Sequence, residues 1–264
     1  MSQRSPDFLT GLKERARYYA EELAAKRREL APPEFWYPYG TMTNVDFLDQ
    51  LLTGENRDLL RNIDPKRAAD IGAADGDISF FLEHEGWQMS IIDNAPTNWN
   101  GLRGAKLFKE ATGSSVQIVE MDLDSQFTFT ERYELVFFMG ILYHLKNPFY
   151  VLERLAQHTH YAILSTRIMR WSKPPPAAAE GELESERQLL EHLPVAYLLG
   201  PTECNNDATN YWIFSEAGLR RILDRSGWDV ADYMVLGAAE DADPFSAQGD
   251  ARAFALLRSR VFAT

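Results

Sequence analysis

The chain has 264 residues, enough to bury a full core without covalent staples. Cys204 is the single cysteine, which excludes an internal disulfide and a cysteine-rich zinc site and leaves a buried or idle thiol as the expectation. With 27 basic against 39 acidic residues the net charge is −12, which repels a phosphate backbone and makes nucleic acid a disfavoured partner.

The stretch MSQRSPDFLTGLKERARYYAEEL is charged throughout, has no apolar h-region and precedes no long apolar span, so a soluble cytoplasmic protein without membrane contact is expected. Ser5 and Pro6 are expected to cap and open a helix over 6–30, with Phe8, Leu12, Ala16, Leu23 and Leu30 at helical spacing. Its clusters Lys13-Glu14-Arg15 and Lys26-Arg27-Arg28 are assigned to the solvated face. APPEFWYPYG follows, where three prolines end any helix and Phe35, Trp36, Tyr37 and Tyr39 crowd together to plug a core or line a pocket. Residues 1–60 therefore read as a helical and aromatic cap ahead of a main domain over 61–264.

From residue 66 short apolar runs alternate with amphipathic stretches, the mark of βαβ units and a parallel sheet. Strands are expected at 67–71, 88–92, 116–121, 134–139 and 161–165, with helices near 77–86, 99–111 and 147–157. An insertion at about 168–212 contains WSKPPPAAAEGELESERQ, expected to be mobile and to lead into a short helix. A helix over 215–225 and strands over 228–237 and 252–260 close the pattern, the last two as an antiparallel hairpin on the sheet's edge. The expected fold class is α/β, a doubly wound, mostly parallel seven-stranded sheet with an N-terminal helical extension.

The most informative stretch is RAADIGAADGDISFFL at 67–82, a strand that ends at Asp70-Ile71, turns between Gly72 and Gly76, and starts a helix at once. Such a turn lets a nucleotide-like cofactor approach backbone and free helix N–H groups. The dinucleotide fingerprint fails here, because Ala74 and Asp77 stand where its second and third glycines belong and Asp77 opposes a pyrophosphate. A loop for S-adenosylmethionine (SAM) has no phosphate to neutralise and gains from Asp70 at the cofactor's ammonium end. Asp93, ending the second strand, can accept from ribose hydroxyls, and Asp122, in VEMDLDS, from the adenine amino group beside Leu123. Ala73, Asn94, Met139 and Gly140 complete the expected cofactor set. Each acid has an alternative as a helix cap or turn residue.

This order and spacing resembles the class I SAM-dependent methyltransferases over about residues 60–262, with Ala74 in place of the central glycine of their D-x-G-x-G-x-G motif. YELVFFMGILYHLKNPFYVLERL, residues 133–155, is similar to the narrower family that carboxymethylates uridine 34 of tRNA using carboxy-SAM. That resemblance implies a carboxylate on the cofactor held by a tyrosine, an arginine near the C-terminus and a lysine ahead of the core. Tyr143 and Arg252 match the first two. EFWYPYGT has no lysine, and Glu34 together with the net charge of −12 argues against carboxy-SAM and tRNA as ligands.

CNNDATNYWIFSEAGLRRILDRSGW at 204–228 resembles tails of bacterial methyltransferases in the broader group, whose substrates are often sugars or natural products. Asn206, Asp207, Asn210, Tyr211 and Trp212 suit a polar small molecule, with the capped turn and core aromatics as the plain alternative. Trp36, Tyr39, Tyr143, Arg167 and Arg252 are added to the expected acceptor-binding set. His144 follows the fourth strand and is the candidate general base, with Tyr143 beside it, while His84, His158, His160 and His192 read as surface or core. No cluster has metal-ligand spacing, and the oligomeric state is left open.

Overall fold

The computed structural model describes residues 7–129, 131–172, 188–237, 242 and 250–262. Most of the expected mobile insertion (173–187) and most of the polar turn after residue 237 lie outside the described residues. The chain divides into two units, the first comprising 1–139 with 158–163 and the second 140–157 with 164–264.

In the first unit, Leu9, Leu12, Ala16 and Leu23 recur on one face and bury it, so helix α1 (Phe8–Leu30) forms along that stripe. Its cap is Asp7, whose carboxylate accepts from the Thr10 N–H at 3.0 Å; Ser5 and Pro6 lie outside the described residues. Two short helices follow that the sequence did not suggest, α2 (Thr43–Leu51) and α3 (Leu59–Asn62). Then come β1 (Arg67–Ile71), α4 (Asp77–His84), β2 (Gln88–Asp93), α5 (Arg103–Thr112), β3 (Gln117–Glu120), α6 (Leu123–Gln126) and β4 (Tyr133–Met139). β1 pairs in parallel with β2 and β4, and β2 with β3, placing Asp70 opposite Ile91 and Phe137. These strands are apolar almost throughout because helices cover both faces of such a sheet. Phe80 and Phe81 of α4 are buried, Phe80 against Phe108 with ring centres 4.7 Å apart, and each stabilises the fold by about 1.5–3 kcal/mol. α5 starts four residues later than the expected 99 because the Asn98 side chain holds the preceding loop, its Oδ1 accepting from Asn100 N and Leu102 N at 3.2 and 3.0 Å.

The second unit holds α7 (Pro148–His158), β5 (Thr159–Met169), β6 (Trp171–Ser172), β7 (Gln188–Leu189), β8 (Ala196–Leu198), β9 (Trp212–Ser215), α8 (Glu216–Arg225), β10 (Trp228–Gly237) and β11 (Ala251–Ser259). α7 and β5 each run across the boundary between the units. β10 and β11 form the antiparallel hairpin, with a bulge between Val230 and Asp232. β9 runs parallel to the end of β5 and carries β8 antiparallel, two strands the sequence did not suggest. Trp228 is buried at the hairpin's start, its indole N–H donating to Leu152 O at 3.0 Å. The fold is thus mixed α/β with a mostly parallel sheet of seven strands, β1 to β5, β10 and β11, as the alternating pattern predicts. Among the described residues no helix is long and apolar enough to cross a membrane.

Candidate functional site

The glycine loop of the first unit passes from β1 to α4 through positive φ at Gly72 (+67°), Ala74 (+53°) and Gly76 (+83°). A Cβ at Gly76 would lie 2.5 Å from Ile91 Cδ1, a side-chain tip that can shift, so it is the backbone conformation that requires glycine. Ala74 holds a left-handed conformation that costs an L-residue about 1–2 kcal/mol. Ala74→Gly is therefore expected to stabilise the chain by about 0.5–1 kcal/mol after the unfolded-state entropy of glycine is subtracted. That corresponds to a rise of about 2 °C in thermal melts, and an unchanged melting temperature would show the loop to be unstrained.

Asp93 organises this loop. Its Oδ1 accepts from Asn94 N at 2.7 Å, and its Oδ2 from Ala74 N at 3.2 Å and Asn98 Nδ2 at 2.9 Å. Three of the carboxylate's roughly four acceptor directions are taken, which leaves room for one further hydroxyl donor, not two. Asp70 is 4% exposed, accepting from the Ser79 hydroxyl at 3.1 Å. Burial pushes its carboxyl up to about 7 against that hydrogen bond, with Asp93 and Asp77 adding to the shift. A carboxyl raised in this way keeps its proton in the folded chain after the unfolded chain has released it, so its penalty grows as pH climbs from 3.8 to about 7 and is constant above. Asp70→Asn is expected to melt above the parent at pH 8, the gap closing toward pH 4; a pH-independent gap would contradict this. Asp122 is the N-cap of α6, accepting from Asp124 N at 3.0 Å and Ser125 Oγ at 2.5 Å, and Leu123 beside it is buried.

Arg27 is not on the solvated face: its side chain is 15% exposed, pairs with Asp77, lies 3.4 Å from Asp75 and covers the Trp36 ring at 4.9 Å. The physical reason is spacing, since Arg27 stands four residues after Leu23 and extends the buried stripe of α1. Burial pushes the Asp77 carboxyl up, and the Arg27 guanidinium pulls it down. Asp75 also accepts from Tyr37 N at 2.6 Å and Asn100 Nδ2 at 2.7 Å, so three segments meet on the loop's two acids. Trp36 is 5% exposed, donates its indole N–H to Ala31 O and lines a cavity of about 300 Å³ with Leu23, Arg27, Met42 and Asp77. Tyr39 is exposed, stacked edge-on against Tyr37, which also meets Trp99.

After the half-buried Met139 the second unit begins at Gly140, whose φ is +75° and whose N–H donates to Ser165 O at 2.8 Å. A Cβ there would lie 3.4 Å from Tyr143 Oη and 3.6 Å from Arg252 Nη1, so phenol and guanidinium converge over this glycine. The 3-10 turn Leu142–His144 sets Tyr143 and His144 side by side, ring centres 4.4 Å apart, and Tyr211 N donates to Tyr143 O at 2.8 Å. His144 Nδ1 lies 3.1 Å from both the carbonyl and the hydroxyl oxygen of Thr209. The Thr209 hydroxyl and N–H both donate to Asp207 Oδ1, at 2.6 and 2.9 Å. Burial lowers the His144 pKa below its ordinary 6.5, opposed by Thr209 and Asp207 and helped by Arg252, so the ring is neutral at neutral pH.

The other expected acceptor residues fall into a different cluster. Arg167 is buried, its Nη1 2.9 Å from Cys204 Sγ and its Nε 3.3 Å from Asp250, and Asn210 donates to Cys204 O at 3.1 Å. Cys204 is buried, and burial pushes its thiol up. Trp212 opens β9, and Asn206 is exposed at a positive φ of +56°. His84 and His192 are exposed, while His158 packs on Phe129 and His160 faces Glu134 at 3.2 Å. Among the described residues no group of three or more His, Cys, Asp or Glu side chains is placed to hold a metal ion. Sequence reasoning missed Asp75, Asn98, Asn100 and Thr209; the asparagine-rich turn NAPTNWNG was the available signal for two of them.

No protein-family model and no curated protein matches the chain. Solved structures do. The N-terminal domain of EvdMO1 with SAH bound is 17% identical with a TM-score of 0.54, covering 91% of this chain and 96% of that domain. Full-length EvdMO1 is 19% identical with a TM-score of 0.51, and this chain spans only 47% of it. The PH0226 protein from Pyrococcus horikoshii OT3 is 11% identical with a TM-score of 0.52, covering 87% of this chain and 96% of that one. At such identities the likeness is one of fold, and over 91% of its length this chain shares the fold of a domain crystallised with SAH.

Proposed function

We propose that this chain is a SAM-dependent methyltransferase that methylates an oxygen or nitrogen of a polar small molecule. The observation that carries the reading is the chemistry of the loop: Asp75 and Asp77 are buried where β1 turns into α4, and Asp70 and Asp93 end the two adjacent strands. Arg27 pairs with Asp75 and Asp77, so it is the acids at the strand ends, Asp70 and Asp93, that oppose a pyrophosphate and suit a cofactor with a cationic sulfonium and ammonium. The shared fold with the SAH-bound EvdMO1 domain supports it.

In this reading Asp70 receives the ammonium group, the remaining acceptor direction of Asp93 takes a ribose hydroxyl, and Asp122 with Leu123 borders the adenine. Gly72, Ala73, Gly76 and Asn94 supply backbone. When bound, SAM supplies a methyl group on a sulfonium that departs as a neutral thioether. The chain's own work is to orient the acceptor, exclude water and move one proton. His144, neutral at neutral pH, takes the proton that the acceptor's hydroxyl or amine loses, and Tyr143 hydrogen-bonds the acceptor.

A second reading is favoured by the convergence of Tyr143 Oη and Arg252 Nη1 over Gly140, because a phenol and a guanidinium together receive a carboxylate. In that reading the cofactor is carboxy-SAM and the acceptor a tRNA uridine; Glu34 and the net charge of −12 weigh against it. Native mass spectrometry of the protein taken from cell extract separates the two. A retained mass of SAM or its demethylated product supports methyl transfer, and a retained carboxy-SAM overturns it in favour of the second reading.

A further inference from the structure

We propose that Asp207, acting through Thr209, fixes His144 as the tautomer with its proton on Nδ1 and leaves Nε2 as the ring nitrogen open to accept a proton. Asp207 is then a positioning residue. The proposal rests on the reading of His144 as general base, although its test does not need that reading to hold.

The Thr209 carbonyl oxygen can only accept, so the His144 Nδ1 that faces it at 3.1 Å must donate. The Thr209 hydroxyl spends its proton on Asp207 Oδ1 at 2.6 Å and therefore turns a lone pair toward the same Nδ1, also at 3.1 Å. Two acceptors meet one ring nitrogen, and a carboxylate fixes the direction of the second. Asp207 Oδ1 also takes the Thr209 N–H at 2.9 Å, which holds the turn that presents both oxygens. With the proton on Nδ1, a neutral imidazole carries its lone pair on Nε2.

This arrangement constrains the acceptor. A lone pair on Nε2 recognises an O–H or N–H donor, so the methylated group carries a dissociable proton; a carboxylate or thioether offers it nothing. When Nε2 gains that proton, the imidazolium is stabilised by Asp207 through Thr209. Among the described residues, the charged and titratable groups around the ring are Asp207, which favours the protonated form, Arg252, which opposes it, and the Tyr143 ring at 4.4 Å.

The test is a long-range proton–nitrogen correlation spectrum of the full chain with nitrogen-labelled histidine. The five histidines allow His144 to be assigned by the peak lost in His144→Gln. At neutral pH the wild type is expected to show the Nδ1–H tautomer. Asp207→Ala removes both hydrogen bonds that hold the Thr209 turn, so the Thr209 carbonyl and hydroxyl are no longer held against Nδ1 and the ring is expected to shift toward the Nε2–H form that free histidine prefers. Asp207→Asn, whose amide oxygen still accepts from Thr209, retains the tautomer but titrates at lower pH because the stabilising charge is gone. An Nε2–H tautomer in the wild type overturns the proposal, as does an unchanged tautomer in Asp207→Ala. None of these spectra requires cofactor or acceptor, so a chain that fails to bind SAM sinks the proposed function without moving this result. Once an acceptor is in hand, Asp207→Ala is expected to lower kcat about tenfold or more with KM little changed.

Discussion

Arg27→Met is expected to cost about 3–5 kcal/mol of stability, because it leaves Asp75 and Asp77 buried without their cation. In a chain of 264 residues that is a fall of about 10 °C in melting temperature. The loss has a pH signature. Burial already pushes the Asp77 carboxyl up, so acid that neutralises it removes part of the uncompensated charge, and the deficit shrinks as pH falls. Arg27→Met combined with Asp77→Asn should recover much of the loss at neutral pH. Thermal melts of the two variants check this, and equal destabilisation in the single and double variants would show that the packing of Arg27 over Trp36 matters more than its charge. The same variant should weaken cofactor binding, since Asp75 also ties Tyr37 and Asn100 to the loop.

His144→Ala is expected to lower kcat about 10²–10⁴-fold while leaving cofactor affinity within about twofold. The two effects are expected to separate because the His144 ring is hydrogen-bonded to Thr209, while the glycine loop is held by Asp93 and Asn98. Tyr143→Phe should chiefly raise KM for the acceptor, by removing one hydrogen bond. Because burial lowers the His144 pKa, the acid limb of the wild-type rate profile should fall below the ordinary histidine value. Steady-state kinetics beside calorimetric cofactor titration are the measurement. If His144→Ala lost cofactor binding together with turnover, the histidine would belong to the cofactor's site and not to proton transfer.

Much of the sheet was legible because buried parallel strands leave plain apolar runs. β1 and β10 begin and end where the runs do, and the others differ by a few residues at their ends. β9 was hidden because Trp212–Ser215 is short and merges into α8, and β8 because its pattern is largely exposed. The glycine loop was legible from Gly72 and Gly76, whose positive φ values no larger side chain holds easily. Its acids were only half legible: a carboxylate in a sequence does not say whether its partner is a ligand, a helix N–H, as for Asp122, or an arginine 50 residues away, as for Asp77. Arg27 was misplaced because its neighbours Lys26 and Arg28 suggest a solvated run, while the helical period assigns it to the stripe of Leu23. Thr209 carried no signal, since its role depends on a histidine 65 residues earlier that reaches it only in the fold.

Calorimetric titration of the full chain with SAM checks whether the loop between β1 and α4 holds the cofactor. The expected result is one site per chain with a dissociation constant in the micromolar range, about −8 kcal/mol, weakened about tenfold or more in Asp93→Ala. No heat with SAM, beside tight binding of carboxy-SAM, would contradict the account.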